Sequence, residues 1–275
     1  MKRPVLRYHG GKWQLAPWII SHFPPHRTYV EPFGGGASVL MLKPRAFSEV
    51  YNDQWSVVVN VFRVLRDPAQ AAELERLLRL TPFAREEFES PWPGDDCEPV
   101  ERARRTILRS FAGYGSAATN GNYSTGFRAN SDKQYSTPAH DWARYPDHIR
   151  MFTDRLAGVV IEHRDALEVI PQHDKPDTLF YVDPPYPHTT RNMRRGNAAY
   201  AHEMTDEDHA QLAQVLTSAR GMVVLSGYRC ELYDGLFGSW ERRDVEAFAD
   251  GRRPRVECVW LNEAAARRQR QGVLL

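Results

Sequence analysis

The chain has 275 residues, of which 42% are hydrophobic and 26% are charged, as is typical of a globular protein with one large α/β domain or a domain with an insertion. A formal net charge of +1 excludes a generally basic nucleic-acid binder, so any such binding must depend on local patches. The sequence has no apolar run that could cross a bilayer and only three scattered cysteines, and its first residues are not expected to act as a signal peptide. We therefore expect a cytoplasmic protein that contacts no membrane, has no disulfide framework and binds no metal.

The amino-terminal region carries the pattern of a βα unit with a glycine-rich turn. Tyr8-His-Gly-Gly-Lys12 is either an ordinary turn or a polar element that brings its backbone and Lys12 close to a ligand. A strand predicted at residues 28–30 leads into Glu31-Pro-Phe-Gly-Gly-Gly36, and a helix follows from about Ala37. These glycines fit neither the dinucleotide pattern nor a phosphate-binding loop. The turn therefore suits a cofactor without phosphates, and Glu31 can face a cation or an ammonium.

A second strand, predicted at residues 46–51, ends at Asn52-Asp53. An acid at this position, about 20 residues after the glycine turn, is where nucleotide-type folds bind a ribose diol. The glycine turn and this acid together favour S-adenosylmethionine over a dinucleotide. Asp53 is also suited to cap the helix predicted at residues 54–65, and it can do both.

Residues 67–157 interrupt the α/β rhythm. Helices are predicted at 69–80, 101–111 and 138–156, separated by an acidic, proline-rich stretch at 83–101 and a polar loop at 113–136. The absence of predicted strands over this length indicates an inserted helical subdomain between a first part, 1–66, and a second part, 158–275. Its interleaved basic and aromatic residues suit DNA contact, although a solvated arginine surface gives the same pattern.

The sheet resumes after the insertion. Strands are predicted at 159–161, 178–182 and 222–226, and an antiparallel hairpin at 240–248 and 255–261. Asp165 follows the first of these strands, where it can accept from a cofactor amine or cap the next helix. A capped helix is predicted from Thr205 to about residue 219, another at 230–237, and the arginines at 267, 268 and 270 form a solvated tail.

The strand at 178–182 ends in Asp183-Pro-Pro-Tyr186. Two prolines make a rigid turn without N–H donors, so the turn presents a carboxylate and carbonyl oxygens at the carboxyl edge of the sheet. Tyr186 adds a flat aromatic surface. The combination suits a planar amine such as that of adenine, although Asp183 could also serve only as a helix cap. The polar, basic segment from 187 to 202 is predicted to cover this edge and contact phosphates.

These motifs, in this order, resemble those of the Dam-type (alpha-group) DNA adenine-N6 methyltransferases. Tyr8-His-Gly-Gly-Lys12 is similar to the family's aromatic-x-Gly-Gly-Lys element, and Glu31-Pro-Phe-Gly-Gly-Gly36 to its glycine motif. Asn52-Asp53 is similar to its ribose-binding acid and Asp183-Pro-Pro-Tyr186 to its catalytic motif. The resemblance covers nearly the whole chain. It is weakest in the insertion, where Arg109-Ser110 stands in place of the Asn-Arg pair of many members, so the target sequence does not carry over.

The resemblance implies a Rossmann-like S-adenosylmethionine-dependent methyltransferase sheet with an inserted, mainly helical target-recognition subdomain. The implied reaction moves a methyl group from S-adenosylmethionine to N6 of a flipped adenine and leaves S-adenosylhomocysteine. The residues implied to hold the cofactor are Tyr8, Lys12, Pro32, Phe33, Gly34, Gly36, Asp53, Asp165 and Asp183. The adenine would be held by Asp183, Pro184 and Tyr186.

The expected partner is double-stranded DNA, with the chain acting as a monomer and with a companion restriction endonuclease as a further possible partner. The residues expected to contact DNA are Arg109, Arg128, Lys133, Thr190, Arg191, Arg194 and Arg195. Arg109 and Arg128 are the candidates for base contact, and the arginines at 191, 194 and 195 for phosphate contact. Two alternatives stay open at this point, an RNA adenine methyltransferase and a DNA-binding relative that has lost catalysis. A glutamine methyltransferase is disfavoured because such enzymes resemble Asn-Pro-Pro-Tyr proteins.

Overall fold

The computed structural model of the protein describes residues 1, 3–92, 94, 96–114, 125–129, 136–190, 201–249 and 253–272. Within these residues seven strands form one sheet: β1 (Thr28–Glu31), β2 (Ser48–Asn52), β3 (Val159–Glu162), β4 (Thr178–Val182), β5 (Met222–Tyr228), β6 (Glu241–Ala249) and β7 (Arg253–Leu261). The spatial order is β3-β2-β1-β4-β5-β7-β6. The first five are parallel, and β7 pairs antiparallel with both β5 and β6. The predicted α/β class, the parallel strands and the closing hairpin are confirmed.

The helices in the described residues are α1 (Ala16–Ser21), α2 (Ser38–Leu42), α3 (Ser56–Arg66), α4 (Pro68–Leu80), α5 (Arg85–Glu89), α6 (Pro99–Ala112), α7 (Pro138–Ala143), α8 (Ile149–Leu156), α9 (Ala166–His173), α10 (Asp206–Ser218), α11 (Glu231–Leu236) and α12 (Glu263–Gly272). None of them is long and apolar enough to cross a membrane. The predicted cap of α10 is present as a reciprocal pair, because the Thr205 side chain accepts from the Asp208 amide and the Asp208 carboxylate accepts from the Thr205 amide.

The sheet is covered on both faces, and its side chains alternate between two apolar layers. Leu179 and Val224 face the layer that contains α1–α4, α6, α8 and α12. Phe180 and Val223 face the layer of α9, α10 and α11. Central strands buried on both faces read as continuous apolar runs, which is why the strand at 178–182 is recognisable from sequence.

The region 67–157 consists of helices and loops in the residues described, apart from a single bridge between Gly113 and Phe127. Its helices α4, α6 and α8 pack on α3 and share one apolar cluster with the sheet. This region therefore thickens one helical layer of the main fold. Its division from 1–66 and 158–275 as a separate target-recognition subdomain stays a prediction.

Two predicted elements differ from the structure. The helix predicted at 138–156 is broken into α7, a 3-10 turn at Pro146–His148, and α8. Pro146 lacks an amide hydrogen, so it begins a new helical segment. The arginines at 267, 268 and 270 are exposed, as predicted, but they do not form a tail, because residues 263–272 form α12 and its Ala265 and Ala266 are buried in the apolar core.

Candidate active site

The site lies where the strand order reverses. β1 and β4 are neighbours, and the chain leaves them towards opposite sides of the sheet, which opens a crevice beyond their carboxyl ends. A cleft occupies this crevice. It is bounded by the Tyr8–Lys12 element, the glycine turn after β1, the end of β2, the turn after β4 and residues 201–204.

The glycine turn is shaped by two tyrosines of the protein itself. A Cβ on Gly34 would lie 2.1 Å from the Tyr51 ring, and one on Gly35 would lie 2.7 Å from the Tyr8 ring. Gly35 also has a φ of +45°, which favours glycine. The Tyr51 hydroxyl donates to the Gly35 carbonyl at 2.9 Å and holds the turn in place. The glycines therefore allow the backbone to pass close to the rings of Tyr51 and Tyr8, of which Tyr8 lines the cleft.

The end of β2 is tied to the glycine turn by the two polar residues that close the strand. Asn52 donates from Nδ2 to the carbonyls of Pro32 and Arg164 at 2.9 and 3.0 Å, and so joins the ends of β1, β2 and β3. Asp53 accepts from the Gly35 amide on Oδ2 and from the Trp55 amide on Oδ1, both at 2.8 Å. Burial raises the pKa of Asp53, and these two hydrogen bonds oppose that rise. The predicted capping role of Asp53 is wrong, because α3 has Trp55 at its N-cap position and no side-chain cap. Asp53 instead ties the glycine turn to the residue before α3, and its contact with a cofactor stays a prediction.

Glu31 is a buried carboxylic acid in the wall of the cleft, with 2% of its surface exposed. Its Oε2 accepts from the Tyr29 hydroxyl at 2.8 Å and from the Leu40 amide at 3.0 Å. Burial raises the pKa of Glu31 to about 8, and the negative charge of Asp183 contributes to the rise. Glu31 therefore changes charge close to neutral pH, and a cation in the cleft would favour its ionised form.

Asp183 is held on both carboxylate oxygens. The Ser226 hydroxyl donates to Oδ1 at 2.7 Å, and the Lys12 ammonium lies 3.0 Å from Oδ2. The Tyr181 hydroxyl lies 3.1 Å from Ser226 Oγ. Since the single Ser226 hydrogen is used by Asp183, Tyr181 is the donor in that contact. Strands β4 and β5 thus fix the orientation of the carboxylate at the edge of the cleft.

Tyr186 stands beside this carboxylate with 5% of its surface exposed. The Lys12 ammonium lies 4.7 Å from the centre of its ring, and the Tyr228 ring meets it edge to face at 4.7 Å. Its hydroxyl donates to Glu257 Oε2 at 3.2 Å. An ammonium therefore already makes the two contacts, with a carboxylate and with an aromatic face, that the sequence predicts for a planar amine.

Most of the predicted site residues come together. The cleft is lined by Tyr8, Lys12, Pro32, Phe33, Gly34, Gly36, Asp53 and Asp183. Pro184 and Tyr186 are buried in the turn next to it. Asp165 is exposed and is not among the lining residues, and its carboxylate accepts from the Leu167 amide at 2.8 Å as a cap of α9. Its predicted contact with a cofactor stays a prediction.

Of the seven predicted DNA-contacting residues, the structure describes only Arg109, Arg128 and Thr190. Lys133, Arg191, Arg194 and Arg195 lie outside the described residues. Arg109 donates to the carbonyls of Phe88 and Ser90 at 3.0 and 2.9 Å and lies over the Trp92 ring. Arg128 donates to the Phe111 carbonyl at 2.9 Å, and Thr190 donates to the Pro187 carbonyl at 2.7 Å. All the contacts shown for Arg109, Arg128 and Thr190 are with other residues of the protein, so their predicted contacts with DNA stay predictions.

Several functional candidates were missed by sequence reasoning. Ser226 of β5 and Glu257 of β7 reach the turn after β4 from other strands, and only their polar character within apolar strands signalled them. Tyr181 of β4 itself contacts Ser226. Trp55 lines the cleft and stacks on Trp92 of the insertion, with ring centres 6.2 Å apart and planes at 5°. Among the residues described, no group of three or more His, Cys, Asp or Glu side chains is placed to hold a metal ion.

Comparison with known proteins identifies the family to which the chain belongs. Residues 8–248 match the family model for D12 class N6 adenine-specific DNA methyltransferases. The chain is similar to the Type II methyltransferase M1.LlaDCHI of Lactococcus lactis subsp. cremoris, with 28% identity over 271 residues that cover 89% of this chain and 88% of that protein. A solved precorrin 8w decarboxylase from Methanobacterium thermoautotrophicum aligns over 90% of this chain and 89% of its own, with 8% identity and a TM-score of 0.34, which is too low to inform the fold.

Proposed function

Because the chain belongs to the D12 class N6 adenine-specific DNA methyltransferases, enzymes that methylate adenine at specific DNA sites, we propose that its cleft binds S-adenosylmethionine and that the turn after β4 holds the target adenine. The observation that carries this proposal is the position of Asp183. Its carboxylate is fixed by Ser226 and Lys12 next to the Tyr186 ring, at the border between the cleft and the sheet edge.

The charges of the cleft fit this cofactor. Glu31, Asp53, Asp183 and Glu203 contribute four carboxylic acids to its described lining, against the single lysine Lys12. The aromatic residues Tyr8, Phe33 and Trp55 border the same space. When bound, S-adenosylmethionine supplies an electrophilic methyl group on a positively charged sulfur. An acidic lining favours a ligand with sulfonium and ammonium charges over one with phosphates.

Different residues of the cleft would contact different parts of the cofactor. Asp53 lies at the end of β2, where its carboxylate would accept hydrogen bonds from ribose hydroxyls. Glu31 would face the ammonium of the methionine part. The rings of Tyr8 and Phe33 would flank the adenine or ribose, and the backbone from Pro32 to Gly36 would form the wall against which the ligand lies.

The catalytic turn would act on the target amine by positioning. The amine of adenine is a weak nucleophile because its lone pair is delocalised into the ring. Hydrogen bonds from its N–H groups to the Asp183 carboxylate and the Pro184 carbonyl favour a tetrahedral nitrogen and orient the lone pair towards the methyl group. The Tyr186 ring supports the extruded base and offsets part of the few kcal/mol that flipping costs.

Recognition of the DNA sequence is assigned to the insertion and the segment after Tyr186. Arg109, Arg128 and Lys133 belong to the insertion, and Thr190, Arg191, Arg194 and Arg195 to the segment after the catalytic turn. The sheet edge that holds cofactor and base cannot also reach the neighbouring base pairs, whereas an adjoining helical lobe can. Both guanidinium groups bond to carbonyls of the insertion, Arg109 through two hydrogen bonds and Arg128 through one, so Arg128 keeps more donors for base contact.

The proposed protein partner is suggested by the similar Lactococcus lactis protein. The Lactococcus lactis relative is a Type II methyltransferase, and on this basis we propose that the chain works beside a restriction endonuclease. We further propose that it does so in the cytoplasm. We expect it to act as a monomer on double-stranded DNA.

The test is methylation of unmodified plasmid or genomic DNA by the purified protein with S-adenosylmethionine, followed by base-resolved mapping of N6-methyladenine. Asp183→Ala should lower the rate by roughly 10²-fold or more, while DNA affinity changes far less because phosphate contacts dominate it. A rate in Asp183→Ala equal to that of the wild type would exclude the proposed role of the turn. Methylation of matched RNA in place of DNA would redirect the proposal to RNA.

A further inference from the structure

Glu257 is a carboxylate in a place where the strand pattern calls for an apolar residue. It lies on β7 and points to the same side of the sheet as Val259 and Leu261, which belong to the apolar layer on that face. Only 8% of its surface is exposed. A buried carboxylate costs stability unless hydrogen bonds satisfy it, so its contacts indicate why it is there.

Those contacts lead to the catalytic turn. The Tyr186 hydroxyl donates to Glu257 Oε2 at 3.2 Å. Tyr228 is paired directly with Glu257 across β5 and β7, so both side chains lie on one face of the sheet. Burial raises the pKa of Tyr228, and the Glu257 carboxylate raises it further. Tyr228 in turn meets the Tyr186 ring edge to face at 4.7 Å and 71°, with the Arg255 guanidinium 5.1 Å from the Tyr228 ring centre.

The last two residues of β5 on this face each contact a different residue of the catalytic turn. Ser226 holds the Asp183 carboxylate, and two residues further on Tyr228 packs against the Tyr186 ring. Glu257 then holds the far end of that ring through its hydroxyl. The acid and the aromatic surface of the turn are thus each fixed from the neighbouring strands.

We propose that Glu257 is a positioning residue for methyl transfer, which fixes the plane of the Tyr186 ring and increases the negative charge of its face. This inference rests on the proposed function of Tyr186 as the support of the flipped adenine. A carboxylate that accepts from the phenol hydroxyl draws the hydroxyl proton towards itself and leaves the ring more electron-rich. The adenine amine gains positive charge as its lone pair forms the new bond, so its attraction to the ring grows in the transition state.

The predicted effect is therefore on turnover. Glu257→Gln keeps the size and the acceptor oxygen and removes the charge, and it should lower the single-turnover rate about threefold. Glu257→Leu removes the acceptor as well and should lower the rate about tenfold or more, since a misplaced reacting group can cost up to about 10²-fold. The affinities for DNA and cofactor should stay within about twofold of the wild type in both variants.

The control for a general effect of losing a carboxylate is Glu246→Gln. Glu246 lies on the neighbouring strand β6, is exposed and pairs in register with Val256. The single-turnover rate of Glu246→Gln should equal that of the wild type. The double variant Tyr186→Phe/Glu257→Leu replaces both partners of the Tyr186–Glu257 hydrogen bond by apolar groups, and unlike Tyr186→Phe alone it leaves no carboxylate without that donor.

The deciding measurement is the single-turnover rate of methyl transfer to unmethylated DNA in these variants and in Tyr186→Ala. In the Tyr186→Phe background Glu257→Leu should cost less than about twofold further, because its effect passes through the hydroxyl. Wild-type rates in both Glu257 variants, or a full further loss in the double variant, would overturn the positioning role. If Tyr186→Ala itself kept the wild-type rate, the proposed function of Tyr186 would fail and this inference with it.

Discussion

The Ser226 hydroxyl lies 2.7 Å from the Asp183 carboxylate, so the acid at the end of β4 is held in place by the strand beside it. The hydrogen bond is charge-assisted and Ser226 is 1% exposed, which makes this orientation difficult to change.

Ser226→Ala should therefore slow methyl transfer and leave DNA binding intact. Loss of one hydrogen bond to a charged group corresponds to about 1.5–3 kcal/mol, or roughly tenfold to 10²-fold in rate if the bond is needed in the transition state. Single-turnover methylation with saturating cofactor measures the effect. Ser218→Ala, on the exposed end of α10, is the matched control. An unchanged rate in Ser226→Ala would mean that Lys12 alone orients Asp183.

Asp53 is predicted to be needed for cofactor affinity. Asp53→Ala should weaken binding of S-adenosylhomocysteine by about 1.5–3 kcal/mol, because it removes charge-assisted acceptors for the ribose hydroxyls. It also removes the acceptor of the Gly35 amide, so part of the loss could come from the glycine turn.

Asp53→Asn separates the two effects, since its amide oxygen can still accept from a backbone amide but carries no charge. Calorimetric titration of both variants is the measurement. Wild-type affinity in Asp53→Ala, with the fold intact, would remove Asp53 from the cofactor site.

Glu31 should make stability depend on pH. Its pKa is about 8 in the folded protein against an ordinary value of 4.5, so between these values the folded state holds a proton that the unfolded chain has released. The contribution is therefore greatest at low pH and falls as pH rises through this window. The glutamine of Glu31→Gln is neutral at every pH, so the free energy of unfolding of this variant should fall less as pH rises. Denaturant unfolding at about pH 5 and about pH 8 compares the two proteins.

The same residue should release a proton when the cofactor binds. An ammonium beside Glu31 favours its carboxylate form, so binding near neutral pH should have an enthalpy that depends on the ionisation enthalpy of the buffer. Glu31→Gln should abolish that dependence. A buffer-independent enthalpy in the wild type would place the ammonium away from Glu31.

Arg109 is predicted to stabilise the insertion. Its guanidinium holds the carbonyls of Phe88 and Ser90 and lies over Trp92, so Arg109→Ala should lower the free energy of unfolding by about 1.5–3 kcal/mol. Arg76→Ala, which removes an exposed arginine of α4, should change it little. Equal unfolding free energies for wild type and Arg109→Ala would leave Arg109 available for DNA, and base-resolved mapping of the methylated motif would then test that role.

The sheet, the cleft and most of its lining were predictable because their signals are local. An apolar run followed by Asp183-Pro-Pro-Tyr186, or a glycine turn followed by an acid at 53, is read within a short stretch of sequence. The contacts of Asp183 with Ser226 and of Tyr186 with Glu257 span 43 and 71 residues and depend on which strands become neighbours. No motif carries that information.

The purpose of the glycines was only partly predictable. Three successive glycines suggest close approach of a ligand, yet the nearest obstacles to a side chain at Gly34 and Gly35 are Tyr51 and Tyr8. Base contact by Arg109 stays a prediction, but the sequence did not show that its guanidinium holds carbonyls 19 to 21 residues earlier in the chain. In both cases the missing information was a partner distant in sequence.

The parallel Trp55 and Trp92 rings give the protein an optical signal of its own. Two indoles held at a fixed distance couple their strong electronic transitions, which contributes a band to the far-ultraviolet circular dichroism spectrum. One indole borders the cleft and the other belongs to the insertion. The strength of that band therefore reports whether the two regions keep their relative position as ligands are added, without any attached label.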